Sequence, residues 1–420
     1  MKYISYLISL IMVIGCSSNH EIVTSTNINN DKQHNKTPTV VLISIDGYRH
    51  DYNEIHKPKF LTKFQKQSAS LKSLIPTFPT KTFPNHLSII TGMYPMNHGI
   101  IANHFYNPKL EKYYSLKDRK SVTNPDFYTT VPLWSLAESQ GMRTATYFWP
   151  GSEARIADHY PTHYMVYNHS TPHDKRLQKI KEWLRLPKSK RPHLITLYFH
   201  DVDSAGHRYG PLANETKEAI NKVDKSIESL NDFIQTHDSS INIIIVSDHG
   251  MQSVKNKKVN LLAKLNNIES EFIIEGSGPL VHFYLKDKKK KRLIQTTLNK
   301  LNVHKSGYTC YLNNNTPPEL NFKNNPSIGD ILCIADKETY LVSGPNMTPK
   351  GAHGWSQHEG KDMHGILFAQ GPCFKKAIEH ESKENIHLYP TLAKILKLEI
   401  KHRIDGDYKH LKDIVSKDCL

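Results

Sequence analysis

The sequence predicts an α/β fold in which a largely parallel sheet lies between two layers of helices. The first observation is a set of short apolar runs rich in Ile, Val, Leu and Phe, at residues 39–45, 194–199, 242–246 and 365–369. Short, largely apolar runs of this length are typical of strands that are buried on both faces. The second is a helical pattern of apolar residues three and four apart: Ala219, Ile220, Val223, Ile227, Leu230 and Ile234. Alternating strands and helices indicate an α/β/α sandwich.

The amino-terminal residues are predicted to direct export. A basic start precedes an apolar run over residues 3–15, which is too short to span a bilayer as a mature helix. The sequence Val13-Ile14-Gly15-Cys16 resembles the lipobox of bacterial lipoproteins. It therefore predicts a signal peptide over residues 1–15 and a lipid on Cys16, with an ordinary secretory signal as the alternative. Ser17 favours the outer membrane or cell surface over the inner membrane by the same resemblance.

The rest of the chain is predicted to contain a tether and one large domain. Residues 16–38 are rich in Asn, Ser, Thr and Lys, and we expect a flexible tether there. Residues 39–420 are expected to form one catalytic domain. Within that domain, residues 261–340 are rich in Lys and Asn and interrupt the core pattern, which predicts a small inserted or capping subdomain. Its expected strands are residues 280–285 and 307–312.

Charge and composition narrow the class of ligand. The formal net charge of +15 suits an anionic ligand or an anionic surface. No nucleic-acid-binding motif is visible, and the basic run at residues 286–292 is typical of a solvated helix start. The sequence gives no indication of a protein partner. The four cysteines after Cys16 allow three pairings, which the sequence leaves open: Cys310, Cys333, Cys373 and Cys419.

Six candidate metal ligands fall in four short motifs that are spread along the chain. Carboxylates near strand ends can meet at one edge of a parallel sheet, although the motifs are far apart in sequence. Three Asp and three His form the ligand set of a two-metal hydrolytic site, and mixed nitrogen and oxygen ligands favour zinc over Mg²⁺ or Ca²⁺. The candidates are Asp46, Asp203, His207, Asp248, His249 and His353.

Thr82 is the candidate nucleophile. The segment from Thr82 to Gly92 is predicted to be a helix that ends at the glycine. A hydroxyl at a helix N-terminus lies where the free N–H groups and the helix dipole favour negative charge. The alternative is a purely structural N-cap.

The motifs together carry a family resemblance. Asp46 and the blocks at residues 79–86, 94–103, 148–152, 203–207, 247–250 and 353–354 occur in the order seen in the nucleotide pyrophosphatase/phosphodiesterase family of the alkaline phosphatase superfamily. The chain from about Val40 to Cys373 resembles that family. The resemblance implies an alkaline phosphatase-like core and two zinc ions. One zinc would be held by Asp46, Thr82, Asp248 and His249, and the other by Asp203, His207 and His353.

The resemblance also implies a mechanism and a substrate pocket. Thr82 would attack phosphorus and form a phospho-threonine intermediate, while Asn103 would bind a phosphate oxygen. A nucleobase would stack against Phe83 and Tyr167, because stacking on aromatic faces tolerates any base. The remaining pocket residues would be Leu116 and Trp149. For Trp149 and Tyr167 the alternative is an aromatic residue of the core.

Three functions remain open at this point. The first is a zinc phosphodiesterase that acts on nucleotides and releases nucleoside 5′-monophosphate. The second is the same chemistry on choline or other lipid head groups, which the metal motifs alone do not separate from the first. The third is a surface binding protein without catalysis, although the intact ligands and Thr82 argue against it. The segment Phe148–Gly151 stands where a related monoesterase carries a Lys-x-Arg pair, which favours a diesterase.

Overall fold

A nine-stranded mixed sheet forms the centre of the molecule. The computed structural model describes residues 21–254, 257–303 without 262, 264 and 266, 306–342 and 348–419. Across the sheet the strands are Glu21–Val23, His163–Met165, Thr144–Tyr147, Leu194–Phe199, Val40–Ile45, Asn242–Val246, Leu367–Gln370, Ala69–Leu71 and Ile378–His380. The run from the second to the sixth of these strands is parallel, and Leu367–Gln370 is antiparallel to both of its neighbours. The predicted α/β sheet is confirmed.

Alternating side chains of the central strand separate two cores, because successive residues of a strand point to opposite faces. Val40 and Leu42 belong to one buried cluster, whereas Val41 and Ile43 belong to the other. Helices that pack on the first face are Thr82–Thr91, Leu133–Ser139 and Leu388–Ile395. Helices that pack on the second face are Lys59–Gln67, His173–Arg185, Asp201–Tyr209 and Asn214–His237. The sheet is therefore covered on both sides, as its apolar strands predicted.

Two of the four predicted strands keep their bounds, and the other two begin one and two residues later than predicted. The strands at 194–199 and 242–246 begin and end as predicted, and the first strand starts at Val40. The run at 365–369 becomes a strand only at Leu367. The reason is that the Gly365 N–H donates to the Leu74 carbonyl and the Ile366 N–H to Ser247 Oγ, so these two residues are bonded outside the sheet.

An edge strand at Glu21–Val23 overturns part of the tether prediction. It pairs antiparallel with His163–Met165. Glu21 Oε1 accepts hydrogen bonds of 2.8 Å from His163 Nδ1 and from Trp183 Nε1. The first of these donors lies 142 residues away along the chain and the second 162 residues away. Composition alone does not reveal such partners, which explains why the segment was expected to be flexible.

The chain stays attached to the domain after this strand. Asn30 Oδ1 accepts a hydrogen bond of 2.7 Å from the Arg143 N–H, and Asn30 Nδ2 donates to the Arg191 carbonyl at 2.8 Å. The prediction of a flexible tether is thus wrong for residues 21–38. The predicted signal peptide and lipidation site lie in residues 1–20, outside the described residues.

A second, antiparallel sheet lies within the stretch 261–340. Its strands, in order across the sheet, are Phe272–Ser277, Leu280–Leu285, Ile331–Ala335 and Tyr308–Leu312. The helix Arg292–Val303 packs against it with a buried cluster of its own. Disulfides join Cys310 to Cys333 within this sheet and Cys373 to Cys419 near the carboxyl terminus.

Short elements complete the described fold. A hairpin of His104–Asn107 and Lys112–Ser115 follows the short helix Pro95–His98 in the sequence. Three small strand pairs join Leu74–Ile75 to Lys383–Glu384, Gln252–Ser253 to Gly351–Ala352, and Lys257–Asn260 to Thr339–Val342. The short helices are Tyr52–Ile55, Pro95–His98, Arg119–Val122 and Ile268–Glu271. Across the described ranges, no helix combines the length and the apolar character needed to cross a bilayer.

Candidate active site

Three neighbouring strands deliver the three candidate carboxylates to one edge of the sheet. Asp46 directly follows Val40–Ile45, and Asp248 follows Asn242–Val246 after one serine. Asp203 lies in the first turn of the helix that comes after Leu194–Phe199. Because these strands are parallel and adjacent, their carboxyl ends meet, which is where open α/β sheets bind ligands.

Gly47 allows the segment that carries Asp46 to pass close to Asp203. Its φ of 68° lies in the left-handed region, and a Cβ placed there would come within 2.9 Å of Asp203 Cα. Any residue with a side chain would push the Asp203 helix away. The glycine of the Ser-Ile-Asp-Gly motif is therefore required by the close approach of two candidate ligands.

The first predicted ligand group converges on His249. Its Nε2 lies 3.4 Å from Asp46 Oδ1 and 3.0 Å from Asp248 Oδ2. The hydroxyl Oγ1 of Thr82 lies 3.4 Å from the same nitrogen. The structure therefore brings together all four side chains that the resemblance assigned to one metal.

The second group forms around Asp203 and adjoins the first. Asp203 Oδ1 lies 3.4 Å from His207 Nε2 and 3.6 Å from His353 Nε2. The ring of His353 also stacks on that of His249, with centroids 3.6 Å apart. Ligand atoms of Asp203, His249 and His353 lie within 4.8 Å of one another, as do those of Asp46, Asp248 and His249. His249 thus stands between the two groups.

The carboxylates fit a cation. In the described part of the chain, one buried oxygen of each has no hydrogen-bond partner: Asp46 Oδ1, Asp203 Oδ1 and Asp248 Oδ2. Other oxygens are satisfied, since Asp46 Oδ2 accepts from the Tyr198 hydroxyl at 2.5 Å and Asp248 Oδ1 from the Gly47 N–H at 3.2 Å. Buried unpaired carboxylate oxygens are costly unless a cation compensates them.

The imidazoles fit a cation as well. The Nδ1 atoms of His207, His249 and His353 each lie 2.8 Å from a backbone carbonyl, those of Gly351, Gly250 and Thr80 respectively. With Nδ1 bonded to a carbonyl, Nε2 is the nitrogen that remains to bind a metal, the usual arrangement of metal-binding histidines. All three Nε2 atoms are directed at the carboxylates. The donor set of nitrogen and oxygen atoms suits zinc.

The electrostatics of the carboxylates reflect their crowding. Burial, and then the charges of Asp248 and Asp203, raise the pKa of Asp46 well above its usual value. Burial also opposes ionisation of Asp248, but His249 and His86 outweigh it and hold the pKa of Asp248 well below its usual value. The negative charges of these buried carboxylates therefore repel one another, and bound cations would reduce this repulsion.

Thr82 is the first residue of its helix and not its cap. The helix Thr82–Thr91 has Lys81 at the N-cap position, without a side-chain capping bond, and ends at Gly92 with φ of 67°. The side chain of Thr82 is nearly buried and lies beside His249. The structural N-cap alternative is therefore not what the structure shows.

Asn103 is held beside the start of that helix. Its Oδ1 accepts a hydrogen bond of 2.9 Å from the Phe83 N–H. Its Nδ2 is therefore the donor that remains for a ligand, and Asn103 lines the same cavity as Thr82. This geometry suits the predicted role of binding a phosphate oxygen.

A cavity of about 760 Å³ opens in front of Thr82. Its wall includes every predicted substrate residue: Phe83, Asn103, Leu116, Trp149 and Tyr167. Leu116 is 38% exposed and Tyr167 is 41% exposed, so both are accessible to a ligand. Trp149 is buried, and its Nε1 donates to the His86 carbonyl at 3.3 Å, so its ring forms a fixed part of the wall.

Several cavity residues were not found from the sequence. Tyr198, which donates to Asp46, lies inside an apolar strand run and looks like a core residue in the sequence. Arg119 also lines the cavity and forms an ion pair with Glu153, which accepts from the Tyr167 N–H at 3.1 Å. His200 also lines the wall. The approach of a carboxylate to an arginine 34 residues earlier leaves no local signal.

Two histidines near the motifs are engaged elsewhere. His86 Nε2 lies 2.8 Å from Ser44 Oγ, and its Nδ1 lies 2.8 Å from the Thr82 carbonyl. His364 uses both ring nitrogens, at 2.8 Å from Ser73 Oγ and 3.0 Å from the Gln357 carbonyl. Of the two, His86 lies near a candidate ligand, with its Nδ1 3.4 Å from Asp248 Oδ2.

The comparison with known families agrees with this geometry. Residues 40–356 match the family "Type I phosphodiesterase / nucleotide pyrophosphatase". The chain belongs to this family. It is 34% identical over 376 residues to human ectonucleotide pyrophosphatase/phosphodiesterase family member 1, a match that covers 86% of this chain and 40% of that protein. It is 33% identical over 375 residues to the venom phosphodiesterase of Naja atra, covering 86% of this chain and 44% of that one. The chain thus spans less than half the length of these relatives.

Solved structures of the family share the fold. Murine ectonucleotide pyrophosphatase/phosphodiesterase 5 superposes with a TM-score of 0.83 at 27% identity, over 90% of this chain and 100% of that one. An inactive Thr→Ala variant of the same murine protein, in complex with AMP, gives a TM-score of 0.84 over the same shares. The predicted alkaline phosphatase-like α/β fold is confirmed.

Proposed function

We propose that this family member is a two-zinc phosphodiesterase that hydrolyses nucleotide phosphodiester or pyrophosphate bonds and releases nucleoside 5′-monophosphate. The observation that carries the proposal is the position of Thr82 Oγ1. It lies 3.4 Å from His249 Nε2, and Thr82 lines the aromatic cavity. The same nitrogen lies 3.4 Å from Asp46 Oδ1 and 3.0 Å from Asp248 Oδ2, two buried oxygens without hydrogen-bond partners. A hydroxyl in this setting is suited to attack phosphorus.

Zinc would be held at two positions. Asp46, Thr82, Asp248 and His249 would bind one ion, and a second group would bind the other: Asp203, His207 and His353. Bound zinc supplies positive charge, which lowers the pKa of a hydroxyl and stabilises oxygens that gain charge during phosphoryl transfer.

Thr82 would attack the phosphorus atom in line with the leaving oxygen. The hydroxyl gives up its proton to solvent and the new Oγ1–P bond forms as the P–O bond to the leaving group breaks. The leaving oxygen keeps the bonding electrons and takes up a proton from solvent where its basicity requires one. The helix N-terminus favours negative charge on the phosphoryl group. Asn103 Nδ2 would donate to a phosphoryl oxygen that gains charge in the transition state. Water then cleaves the phospho-threonine and regenerates the hydroxyl.

The aromatic cavity supports nucleotides as substrates. Phe83 and Tyr167 offer ring faces for a base, and Leu116 and Trp149 supply apolar wall. Stacking of a base on these rings would contribute roughly 1–3 kcal/mol to binding. It would also place the α-phosphorus of a nucleotide near Thr82. The AMP complex of the murine relative supports the same class of ligand. For ATP, the products would therefore be AMP and pyrophosphate.

The decisive experiment compares Thr82→Ala, Thr82→Ser and the matched control Thr91→Ala on an aryl phosphodiester. Thr91 lies at the other end of the same helix, where its hydroxyl donates to the Leu87 carbonyl at 2.6 Å. We expect normal zinc content in all three variants, loss of turnover in Thr82→Ala, partial activity in Thr82→Ser and full activity in the control. A Thr82→Ala variant that keeps the wild-type rate would show that no covalent threonine step exists.

Product analysis separates the substrate classes. ATP, a dinucleotide, glycerophosphocholine and an aryl phosphomonoester are offered side by side to the wild-type protein. We expect AMP and pyrophosphate from ATP and the lowest specificity constant for the monoester. Release of orthophosphate through ADP would contradict the proposed placement of the α-phosphorus, and preference for glycerophosphocholine would move the substrate to lipid head groups.

We also propose that the protein is exported and anchored by a lipid on Cys16, at the outer membrane or cell surface. The support is the lipobox-like sequence at residues 13–16. Two acyl chains hold a protein at a membrane where one barely does, since each buried CH₂ contributes about 0.8 kcal/mol. Cys16→Ser should move the activity to the soluble fraction without changing its rate on small diesters. Wild-type protein that is free in the medium with an N-terminus beyond Cys16 would overturn this proposal.

A further inference from the structure

We infer that the second sheet positions Asn103 for phosphoryl transfer through the contact between Glu275 and His104, an inference that rests on the proposed role of Asn103. Glu275 lies in the strand Phe272–Ser277 of the second sheet. His104 directly follows Asn103 and begins the hairpin strand His104–Asn107. Glu275 would act as a positioning residue, not a catalytic one.

Asn103 is fixed from two sides by groups of the cavity wall. Its side-chain oxygen accepts the Phe83 N–H at 2.9 Å. Its backbone carbonyl accepts the Leu116 N–H at 3.0 Å, which closes the base of the hairpin. The direction of Nδ2 therefore depends on where the hairpin starts. A shift of the hairpin would move Nδ2 relative to Thr82.

The start of the hairpin is tied to the second sheet. His104 Nε2 lies 2.7 Å from Glu275 Oε2, and the Glu275 side chain is only 17% exposed. His104 donates this hydrogen bond to the Glu275 carboxylate, and the bond raises the pKa of His104. Farther along the hairpin, the ring of Tyr106 meets the edge of the buried Tyr284 ring at a centroid distance of 5.5 Å. The hairpin therefore rests on the second sheet at two points, and the polar one adjoins Asn103.

The expected effect on kinetics follows from what Asn103 binds. A donor to a phosphoryl oxygen counts most in the transition state, where that oxygen gains charge. Glu275 is not among the described residues that line the cavity. Loss of its carboxylate should therefore lower kcat and leave KM nearly unchanged. A misplacement of about 1 Å can cost about a hundredfold in rate, so a partial shift should cost on the order of tenfold.

The test uses the full-length protein with an aryl phosphodiester. Glu275→Ala should lower kcat about tenfold, whereas Glu275→Gln, which keeps an acceptor for His104, should recover most of the rate. The control is Glu271→Ala, which removes the exposed ion pair with Lys290 from the same region without touching the hairpin. Zinc content and unfolding midpoint are measured for each variant. Equal rates for Glu275→Ala and wild type would overturn the inference.

A double-mutant cycle decides whether Glu275 acts through Asn103. In an Asn103→Ala background, Glu275→Ala should lower kcat no further, because there is no amide left to misplace. A full additive loss would show that Glu275 acts elsewhere and would also overturn the inference. Failure of the proposed function gives a different result, namely an Asn103→Ala single variant with unchanged kcat.

Discussion

Replacing Tyr198 by Phe should weaken zinc binding at Asp46 without disturbing the packing around it. The Tyr198 hydroxyl donates to Asp46 Oδ2 at 2.5 Å, and both side chains are buried. The other oxygen of Asp46 faces His249 Nε2. Phenylalanine retains the ring, including its edge contact with His86 at a centroid distance of 5.3 Å. The substitution therefore removes one hydrogen bond and little else.

The magnitude follows from the charge on the acceptor. A hydrogen bond to a charged group contributes about 1.5–3 kcal/mol, and a buried carboxylate that loses its donor has no water to replace it. About 1.4 kcal/mol corresponds to a tenfold change, so zinc affinity should fall about 10- to 100-fold, the range expected when a group that orients a metal ligand is lost. Burial and the charges of Asp248 and Asp203 already raise the pKa of Asp46, so the variant carboxylate should hold its proton more tightly. The loss of affinity should therefore be larger at pH 6 than at pH 8.

Zinc affinity is measured by competition with a chromophoric chelator at both pH values. Tyr48→Phe is the matched control, because Tyr48 is also buried and donates at 2.5 Å, but to the amide oxygen of Asn53. Its affinity for zinc should equal that of the wild type. Equal affinities for Tyr198→Phe and wild type would refute the reasoning that this hydroxyl supports a metal ligand.

Three further outcomes are expected. Chelation of the metals should abolish turnover. It should also lower the unfolding temperature, because a ligand at 100 times its Kd stabilises the folded state by about 2.7 kcal/mol. An unchanged melting curve would argue against bound metals. Asp203→Asn and His353→Ala should each lower zinc content and activity together, as elemental analysis and rate measurements would show, and normal values of both would mean that other residues are the ligands. Glu21→Gln should cost about 1–2 kcal/mol of unfolding free energy at pH 7, a value reduced for partial exposure. Burial opposes ionisation of Glu21, but hydrogen bonds from His163 and Trp183 lower its pKa from 4.5 to about 2. This stabilisation is therefore present above pH 4.5 and is lost as the pH falls toward 2. If urea unfolding gave the same difference between wild type and variant at pH 7 and at pH 2.5, this prediction would be wrong.

The convergence of the candidate ligands was predictable because it depends on sheet geometry. Asp46 and Asp248 come after apolar runs that form neighbouring parallel strands, so their meeting follows from topology alone. The spacing of Asp203 and His207 likewise places both on one helix face, and the structure separates Asp203 Oδ1 from His207 Nε2 by 3.4 Å. For these ligands, the residue spacing in the sequence and the positions in the folded structure agree.

Features that depend on a single long-range contact were not predictable. In the sequence, Tyr198 fits the apolar pattern of a buried strand. Its role is visible only in the structure, where its hydroxyl donates to Asp46. His353, whose ring stacks on that of His249, comes from a loop 104 residues later, and no local pattern predicts this contact. The sequence also left the disulfides open, since nothing in the spacing distinguishes the pair Cys310–Cys333 from other pairings.

If the proposed lipid is attached to Cys16, the edge strand limits how far the described domain stands from a membrane. Its first residue, Glu21, pairs with Met165 at the carboxyl end of the parallel strands, and Tyr167 on the cavity wall follows two residues later. The five residues from Cys16 to Glu21 span at most about 18 Å when extended. The flexible tether that was predicted to run to residue 38 would have allowed a distance of about 80 Å. With the proposed lipid in place, the mouth of the cavity would therefore be held close to the head-group layer, and phosphodiesters diffusing within that layer would be within its reach.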